Sequence, residues 1–353
     1  MSDGIFEKIT SRIQNRKEEH VQICLGKDVQ NSSSAGFECV RLIHKALPEV
    51  NFDSIDTSCT FLGKKLKAPI LIAGMTGGWP GAKTINRNLA AAAEKLGLAF
   101  GLGSQRAMVQ HTELTGSYSV RKAAPSILLI GNLGLIQFGN GWGEREVKSA
   151  SSIGIDAMAL RLNALQELVQ PEGDRNWEGC LSSLKKICHK SRIPIIVKET
   201  GAGISGEIAK ILEDAGVAAI DISGSGGTNF ALVESHRGSE IGKMFSDWGI
   251  PTVCSLLEVS KAVNLPIICS GGVRSGLDAA KAIALGADIV GVAKPLLKPA
   301  LKGQEAVEQH LKSMIRELKT AMALTGCKNI SELKKTKYVL TGFVNDWADQ
   351  RLR

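Results

Sequence analysis

Short apolar, β-branched runs recur along the chain at Pro69–Ala73, Ala99–Leu102, Ile127–Ile130, Ala157–Leu162, Pro194–Lys198, Ala219–Ile222, Pro266–Cys269 and Ile289–Val292. Stretches with helical periodicity lie between them: Thr84–Leu96, Glu144–Ile153, Cys180–Lys190, Glu207–Ala215, Thr252–Val263 and Leu277–Leu285. Runs that are apolar throughout, rather than alternating, predict parallel strands buried on both faces. Eight such strand-then-helix units over about 230 residues predict an α/β fold, a (β/α)8 TIM barrel rather than an open doubly wound sheet. Residues 1–66 read as an N-terminal extension and 67–353 as the barrel, with a helix from about Lys302 to Gly326 added at the end of a single domain.

In such a barrel the chemistry sits just past the C-terminal ends of the strands. Those positions are rich in Gly and polar residues here. The first three strands run into Met75-Thr76-Gly77-Gly78, Gly103-Ser104-Gln105-Arg106 and Asn132-Leu133-Gly134. The fourth ends in Arg161-Leu162-Asn163, followed by Gln166-Glu167, and the fifth in Lys198-Glu199-Thr200-Gly201. The sixth leads to Ser223–Thr228, the seventh to Ser270-Gly271-Gly272-Val273-Arg274 and the eighth to Ala293-Lys294.

Composition narrows the class. A hydrophobic fraction of 44% in 353 residues is enough for a core and argues against disorder. The longest apolar run, Ala68–Met75, is far short of the roughly 20 residues of a membrane span, and Met1–Lys8 is polar, so a soluble cytoplasmic protein with no membrane partner is expected. The eight cysteines are scattered without a C-x-x-C pair, which points to reduced, buried thiols. The net charge of +8 admits anionic partners, but only 5% of residues are aromatic and no dense basic stripe exists. A phosphorylated small molecule is therefore expected before nucleic acid.

The strongest local motif is Ser270–Gly276, between an apolar strand and a helix. Paired glycines expose backbone N–H groups to an oxyanion, and the helix N-terminus adds its positive end. With Ala293-Lys294 it predicts the phosphate site that barrels carry after strands seven and eight. Lys198 closes an apolar strand, where it would face a phosphate, the electron-rich edge of a flavin, or a salt-bridge partner in Glu199 or Asp221. Thr76, Ser104, Asn132, Ser223 and Thr228 add neutral hydrogen-bonding groups at neighbouring strand ends, a set suited to a planar polar cofactor. Asn15-Arg16-Lys17-Glu18-Glu19-His20, Ser104-Gln105-Arg106 and Arg161-Leu162-Asn163 look like an anion clamp, since arginine forks and a lysine point charge suit a diphosphate. Taken alone, Arg16-Lys17 reads better as a solvated charge run. Glu167 fits a Mg²⁺ shared with phosphate oxygens, or an ordinary acid at a helix start. The six histidines lie mainly in polar or helical stretches, where surface positions are expected.

These motifs, in this order, resemble the type 2, FMN-dependent isopentenyl-diphosphate isomerases from Arg16-Lys17 to Ala293-Lys294. The resemblance implies interconversion of isopentenyl and dimethylallyl diphosphate by protonation and deprotonation, with reduced FMN, Mg²⁺, and NADPH or another reductant. It implies that Gly74, Met75, Thr76, Ser104, Asn132, Lys198, Ser223, Thr228, Gly272, Arg274, Ala293 and Lys294 line the FMN. Arg16, Lys17, Ser104, Gln105, Arg106, Arg161 and Asn163 would hold the diphosphate, the first two making residues 1–66 part of the substrate clamp. Gln166 would be catalytic, facing the allylic part of the substrate, and Glu167 would hold Mg²⁺. A homotetramer or larger homo-oligomer is also implied. The chain departs from the family pattern at Arg161, where a histidine is usual, and at Lys294, where an apolar residue is usual. Two alternatives remain: an FMN-dependent 2-hydroxy-acid oxidase or dehydrogenase, for which no strand-end histidine base is found, and an inactive flavin- or diphosphate-binding protein marked by Arg161.

Overall fold

The structure is a computed structural model that describes residues 3–352, with side chains from residue 14 onward. Eight parallel strands close into a barrel: β1 Ile70–Ile72, β2 Ala99–Gly101, β3 Leu129–Gly134, β4 Ala157–Arg161, β5 Ile195–Lys198, β6 Ala219–Asp221, β7 Ile267–Ser270 and β8 Ile289–Val292. Closure comes from β8 against β1, in the register Val290↔Ile70, Gly291↔Leu71 and Val292↔Ile72.

The two faces of each strand explain why the sequence shows no alternation. Leu71, Ile196 and Ile268 point into the barrel with Ala99, Ala157, Ala159 and Ala219. Their neighbours Ile70, Ile72, Ile195, Val197, Ile267 and Cys269 pack outward under the helices. Both sets are dry, so both must be apolar. The small alanines leave room for Phe61 and Leu66, carried by a hairpin of Cys59–Phe61 and Lys64–Leu66. This hairpin packs with residues at the strand starts and plugs that end of the barrel.

Two boundaries differ from the sequence reading. The third strand, expected over Ile127–Ile130, runs from Leu129 to Gly134. Gly131, Asn132 and Gly134 are poor strand formers, but they pair with Met158, Ala159 and Arg161 of β4, and tertiary pairing outweighs propensity. The helix expected from about Lys302 to Gly326 runs from Gln304 to Leu324, and a separate helix that the sequence reading did not have, Lys294–Lys302, precedes it across Gly303 with φ 131°. The segment before the barrel holds a 24-residue helix, Asp3–Gly26, and a strand, Val40–Leu42, that pairs antiparallel with Tyr338–Leu340. All eight cysteines are free thiols.

Candidate active site

A deep cavity opens at the C-terminal rim of the barrel, and the Asp3–Gly26 helix lies along one side of it. On one wall Gly271 and Gly272 turn at φ 97° and 74°. Gly227 approaches so closely that a Cβ there would lie 2.6 Å from the Gly272 nitrogen. Thr252 Oγ1 donates to the Gly271 carbonyl at 2.7 Å, fixing the turn from behind. The helix Gly276–Ala284 follows, with a capping box between Ser275 and Asp278. Ala293 and Lys294 complete this wall, with Ser223 and Thr228 beside it. Arg274 donates to Gln30 Oε1, and Gln30 Nε2 donates to the Gly226 carbonyl at 2.6 Å, so residues before the barrel brace the loops.

The middle of the cavity is lined by Gly74, Met75, Thr76, Ser104, Asn132 and Lys198. A Cβ on Gly74 would come within 2.0 Å of the Leu102 carbonyl oxygen, so strand β1 leaves the barrel here as bare backbone. Trp79 Nε1 donates to Thr76 Oγ1 at 2.8 Å. Asn132 Oδ1 is buried without a hydrogen-bond partner, a cost unless a ligand donor meets it. Lys198 Nζ lies 3.9 Å from Asp221 Oδ2, and Asp221 Oδ1 accepts from Ser270 Oγ at 2.6 Å. Burial pulls the Lys198 ammonium below the usual lysine range, opposed by Asp221 and Glu199. A glycine anion cradle, an orphaned amide oxygen and a lysine in one cavity fit FMN.

The other end of the cavity is cationic. Arg16, Lys17, Arg106 and Arg161 all line it, beside Gln166 and Glu167. Arg106 Nη1 donates to Asp174 Oδ2 at 2.7 Å, Arg16 Nη1 lies 3.6 Å from Glu172, and Arg161 Nη2 lies 4.0 Å from Glu167 Oε1. Among the described residues Lys17 has no ion-pair partner. Burial, then Arg16, Arg161 and Arg106, bring its pKa down from 10.5 to about 7. Glu167 Oε1 accepts from Asn163 Nδ2 at 2.9 Å and Oε2 from the Asp174 amide at 3.0 Å. The protein thus offers Mg²⁺ one carboxylate, and a diphosphate and water would complete its shell, the usual arrangement beside phosphates.

Two expected substrate contacts are placed elsewhere. Gln105 is fully buried and spends its amide inside the protein, on the Asn132 nitrogen at 2.9 Å and the Ala150 carbonyl at 2.9 Å. It holds β3 in position and is absent from the cavity wall. Asn163, at φ 24° and 1% exposure, faces Glu167 instead of the cavity.

The surface expectation for the histidines fails at His20 and His111. His20 lines the cavity with its Nε2 3.0 Å from Glu234 Oε1, and His111 is only 7% exposed. Glu234 is fully buried; it accepts from Arg237 at 2.6 Å and from Gln166 Nε2 at 3.2 Å. Arg16, Lys17, His20, Val21 and Cys24 share the cavity-facing stripe of one helix, the spacing of a single helical face.

The profile of the FMN-dependent dehydrogenase family matches residues 12–116 and 144–340. The isopentenyl-diphosphate delta-isomerase of Methanothermobacter thermautotrophicus is 47% identical over 342 residues, 96% of this chain and 97% of that one. That of Pyrococcus furiosus is 49% identical over 351 residues, 96% of this chain and 89% of that one. The chain belongs to the isopentenyl-diphosphate delta-isomerase family. The isomerase also shares its fold with a lactate oxidase of Pediococcus acidilactici, at TM-score 0.66, 20% identity and 95% coverage of each chain. A mandelate oxidase with (S)-2-phenylpropionate gives TM-score 0.63 at 20% identity, covering 94% of this isomerase and 98% of that chain. Likeness at that identity is one of fold.

Proposed function

We propose that this isomerase interconverts isopentenyl and dimethylallyl diphosphate with reduced FMN held between the Gly271–Gly272 turn and Lys198. The observation that carries this reading is the division of one cavity into two ends. One end collects four basic side chains, Arg16, Lys17, Arg106 and Arg161, the other is a backbone glycine cradle, and the unpartnered Asn132 Oδ1 lies between them. Reduced FMN, when bound, supplies the acid and base that add one proton to carbon and remove another.

The chain's own residues bind and orient. Arg16, Lys17, Arg106 and Arg161 draw the diphosphate to one end, so the short hydrocarbon points toward the cofactor side. Gln166, tethered through Nε2 to Glu234, is the amide closest in kind to a residue that holds the allylic end in place. Glu167 is the carboxylate that a Mg²⁺ on the diphosphate would reach. Arg274, Lys294 and the Gly272 amide suit the FMN phosphate. NADPH or another reductant is proposed to supply the electrons that keep FMN reduced. The working form is proposed as a cytoplasmic homotetramer or larger assembly, with no nucleic-acid or membrane partner; among the described residues no helix is long and apolar enough to cross a membrane.

The test follows isopentenyl diphosphate by NMR in D₂O with protein, FMN, Mg²⁺ and reductant under anaerobic conditions. Deuterium-bearing dimethylallyl diphosphate is expected only when the flavin is reduced. Bound FMN and bound substrate without turnover would overturn the reading.

A further inference from the structure

Arg161 ends β4, and its backbone is fixed on both sides by the pairs Gly134↔Arg161 and Arg161↔Lys198. Its side chain is 16% exposed and faces the cavity. One guanidinium nitrogen stands 4.0 Å from Glu167, and Nε is buried with no partner at all. A buried guanidinium with an orphaned N–H is costly by itself, and an entering anion would relieve it.

A carboxylate beside a diphosphate raises a problem of like charge. A divalent cation solves it by bridging the two. Here the carboxylate is Glu167, and both its oxygens already accept hydrogen bonds from Asn163 and Asp174. The nearest cation to it is built into the chain. Arginine is charged at all ordinary pH values, and its planar fork meets two phosphate oxygens at once. A divalent ion approaching Glu167 would meet Arg161 and Lys17, both of which face the same cavity end.

We propose that Arg161 is a built-in counter-ion between Glu167 and the diphosphate, so that this chain binds diphosphate without needing a divalent metal. The inference rests on the diphosphate-binding reading of the site, and it limits Mg²⁺ to a contribution beyond affinity. Arg161 is then the residue that sets the metal requirement.

The test titrates the full-length protein, loaded with oxidised FMN, with inorganic pyrophosphate by calorimetry, once in EDTA and once in Mg²⁺. The wild-type dissociation constant is expected to differ by no more than about 3-fold between the two. Arg161→Gln removes the charge, and its binding in EDTA is expected to fall by about 10-fold or more with Mg²⁺ restoring most of the loss. Arg161→Lys keeps the charge and is expected to stay metal-independent; circular dichroism and flavin content check the fold of both variants. Wild-type binding that vanishes in EDTA overturns the proposal, as does metal-independent binding by Arg161→Gln. Should Arg161→Gln not fold, the wild-type comparison and Arg161→Lys still decide. Metal-independent binding of pyrophosphate without isomerisation in the NMR assay would sink the isomerase reading and leave the counter-ion standing. No binding in either condition would overturn both.

Discussion

His20 Nε2 lies 3.0 Å from Glu234 Oε1, and the contact joins the Asp3–Gly26 helix to the Phe230–Ser235 helix that follows β6. Glu234 also holds Arg237 at 2.6 Å, and Arg237 reaches Glu19 and Glu172 at 3.2 and 2.8 Å. One buried carboxylate therefore anchors the helix that carries Arg16 and Lys17. Burial pushes the Glu234 pKa up, but His20 and Arg237 outweigh it and hold it below 4.5.

Glu234→Ala strips Arg237, His20 and Gln166 of a shared partner. Breaking a buried pair from one side costs about 3 kcal/mol, whereas His20→Ala is expected to cost less, because Glu234 keeps its hydrogen bonds from Arg237 and Gln166. With its folded-state pKa depressed, Glu234 contributes fully above pH 4.5 and loses that contribution as pH falls below it. Urea unfolding of the wild type and both variants at pH 7 and pH 4 checks this. Equal losses in the two variants at pH 7 would contradict the anchor.

Lys17 makes anion binding pH-dependent. Its pKa of about 7 in the free site comes from burial and from Arg16, Arg161 and Arg106. A bound diphosphate opposes those effects and raises it. At pH 8 the free site is mostly neutral at Lys17, so binding takes up a proton; at pH 6 Lys17 is already charged and takes up none. Calorimetry with pyrophosphate in buffers of different ionisation enthalpy measures the uptake. Lys17→Met is expected to lose it and to weaken binding by about 10-fold or more. A proton uptake at pH 8 that survives in Lys17→Met would remove Lys17 from this role.

The barrel was legible because its strands are apolar on both faces, and Leu71 and Ile196 inside read the same as Ile70 and Val197 outside. The glycine turn at Gly271–Gly272 was legible because few other residues tolerate that backbone. Gln105 was misplaced because an amide beside Arg106 looks like a ligand group, and nothing in the local sequence reveals that Asn132 and Ala150 claim it. Asn163 was misplaced likewise, through its contact with Glu167. His20, named in the clamp stretch but expected at the surface, was misjudged for a different reason. Its signal was present in the spacing of Arg16, Lys17, His20 and Cys24, but it appears only when residues 3–26 are read as a helix. Glu234 had no sequence signal, since its partners His20 and Gln166 come from two distant helices, with Arg237 three residues on.

Gly272 tests the cradle. At φ 74° a Cβ would lie 2.7 Å from the Gly226 carbonyl oxygen and 2.7 Å from the Ala35 Cβ. Gly272→Ala is expected to cost about 1–3 kcal/mol in the protein without cofactor, and to weaken FMN by about 10-fold or more because the turn must shift away from the phosphate. Gly238 provides the control, with φ 99° and nothing within 4 Å of the added carbon. Gly238→Ala shares the backbone strain but is expected to leave FMN affinity unchanged, as read by quenching of FMN fluorescence. Equal loss in both variants would reduce the cradle to a strained turn.

Lys198 and Asp221 support a stability experiment that needs no cofactor. Asp221 is 2% exposed; burial raises its pKa above 3.8, while Lys198 and the hydrogen bond from Ser270 restrain the rise. Lys198→Met removes the larger restraint, so the folded state of the variant holds the Asp221 proton to higher pH than the wild type does. A folded state that binds more protons than the unfolded one loses stability as pH rises, by up to about 1.4 kcal/mol per pH unit for one group. The loss begins above pH 3.8 and ends at the folded-state pKa of the variant. Urea unfolding at pH 5, 7 and 8 is therefore expected to show Lys198→Met falling further behind the wild type as pH increases. Lys198→Met,Asp221→Asn removes the titrating carboxyl, so the stability of Lys198→Met relative to this double variant is also expected to fall as pH rises. A gap in Lys198→Met that stays constant across the range would mean that Asp221 does not answer to Lys198, and the lysine would then act on the cavity alone.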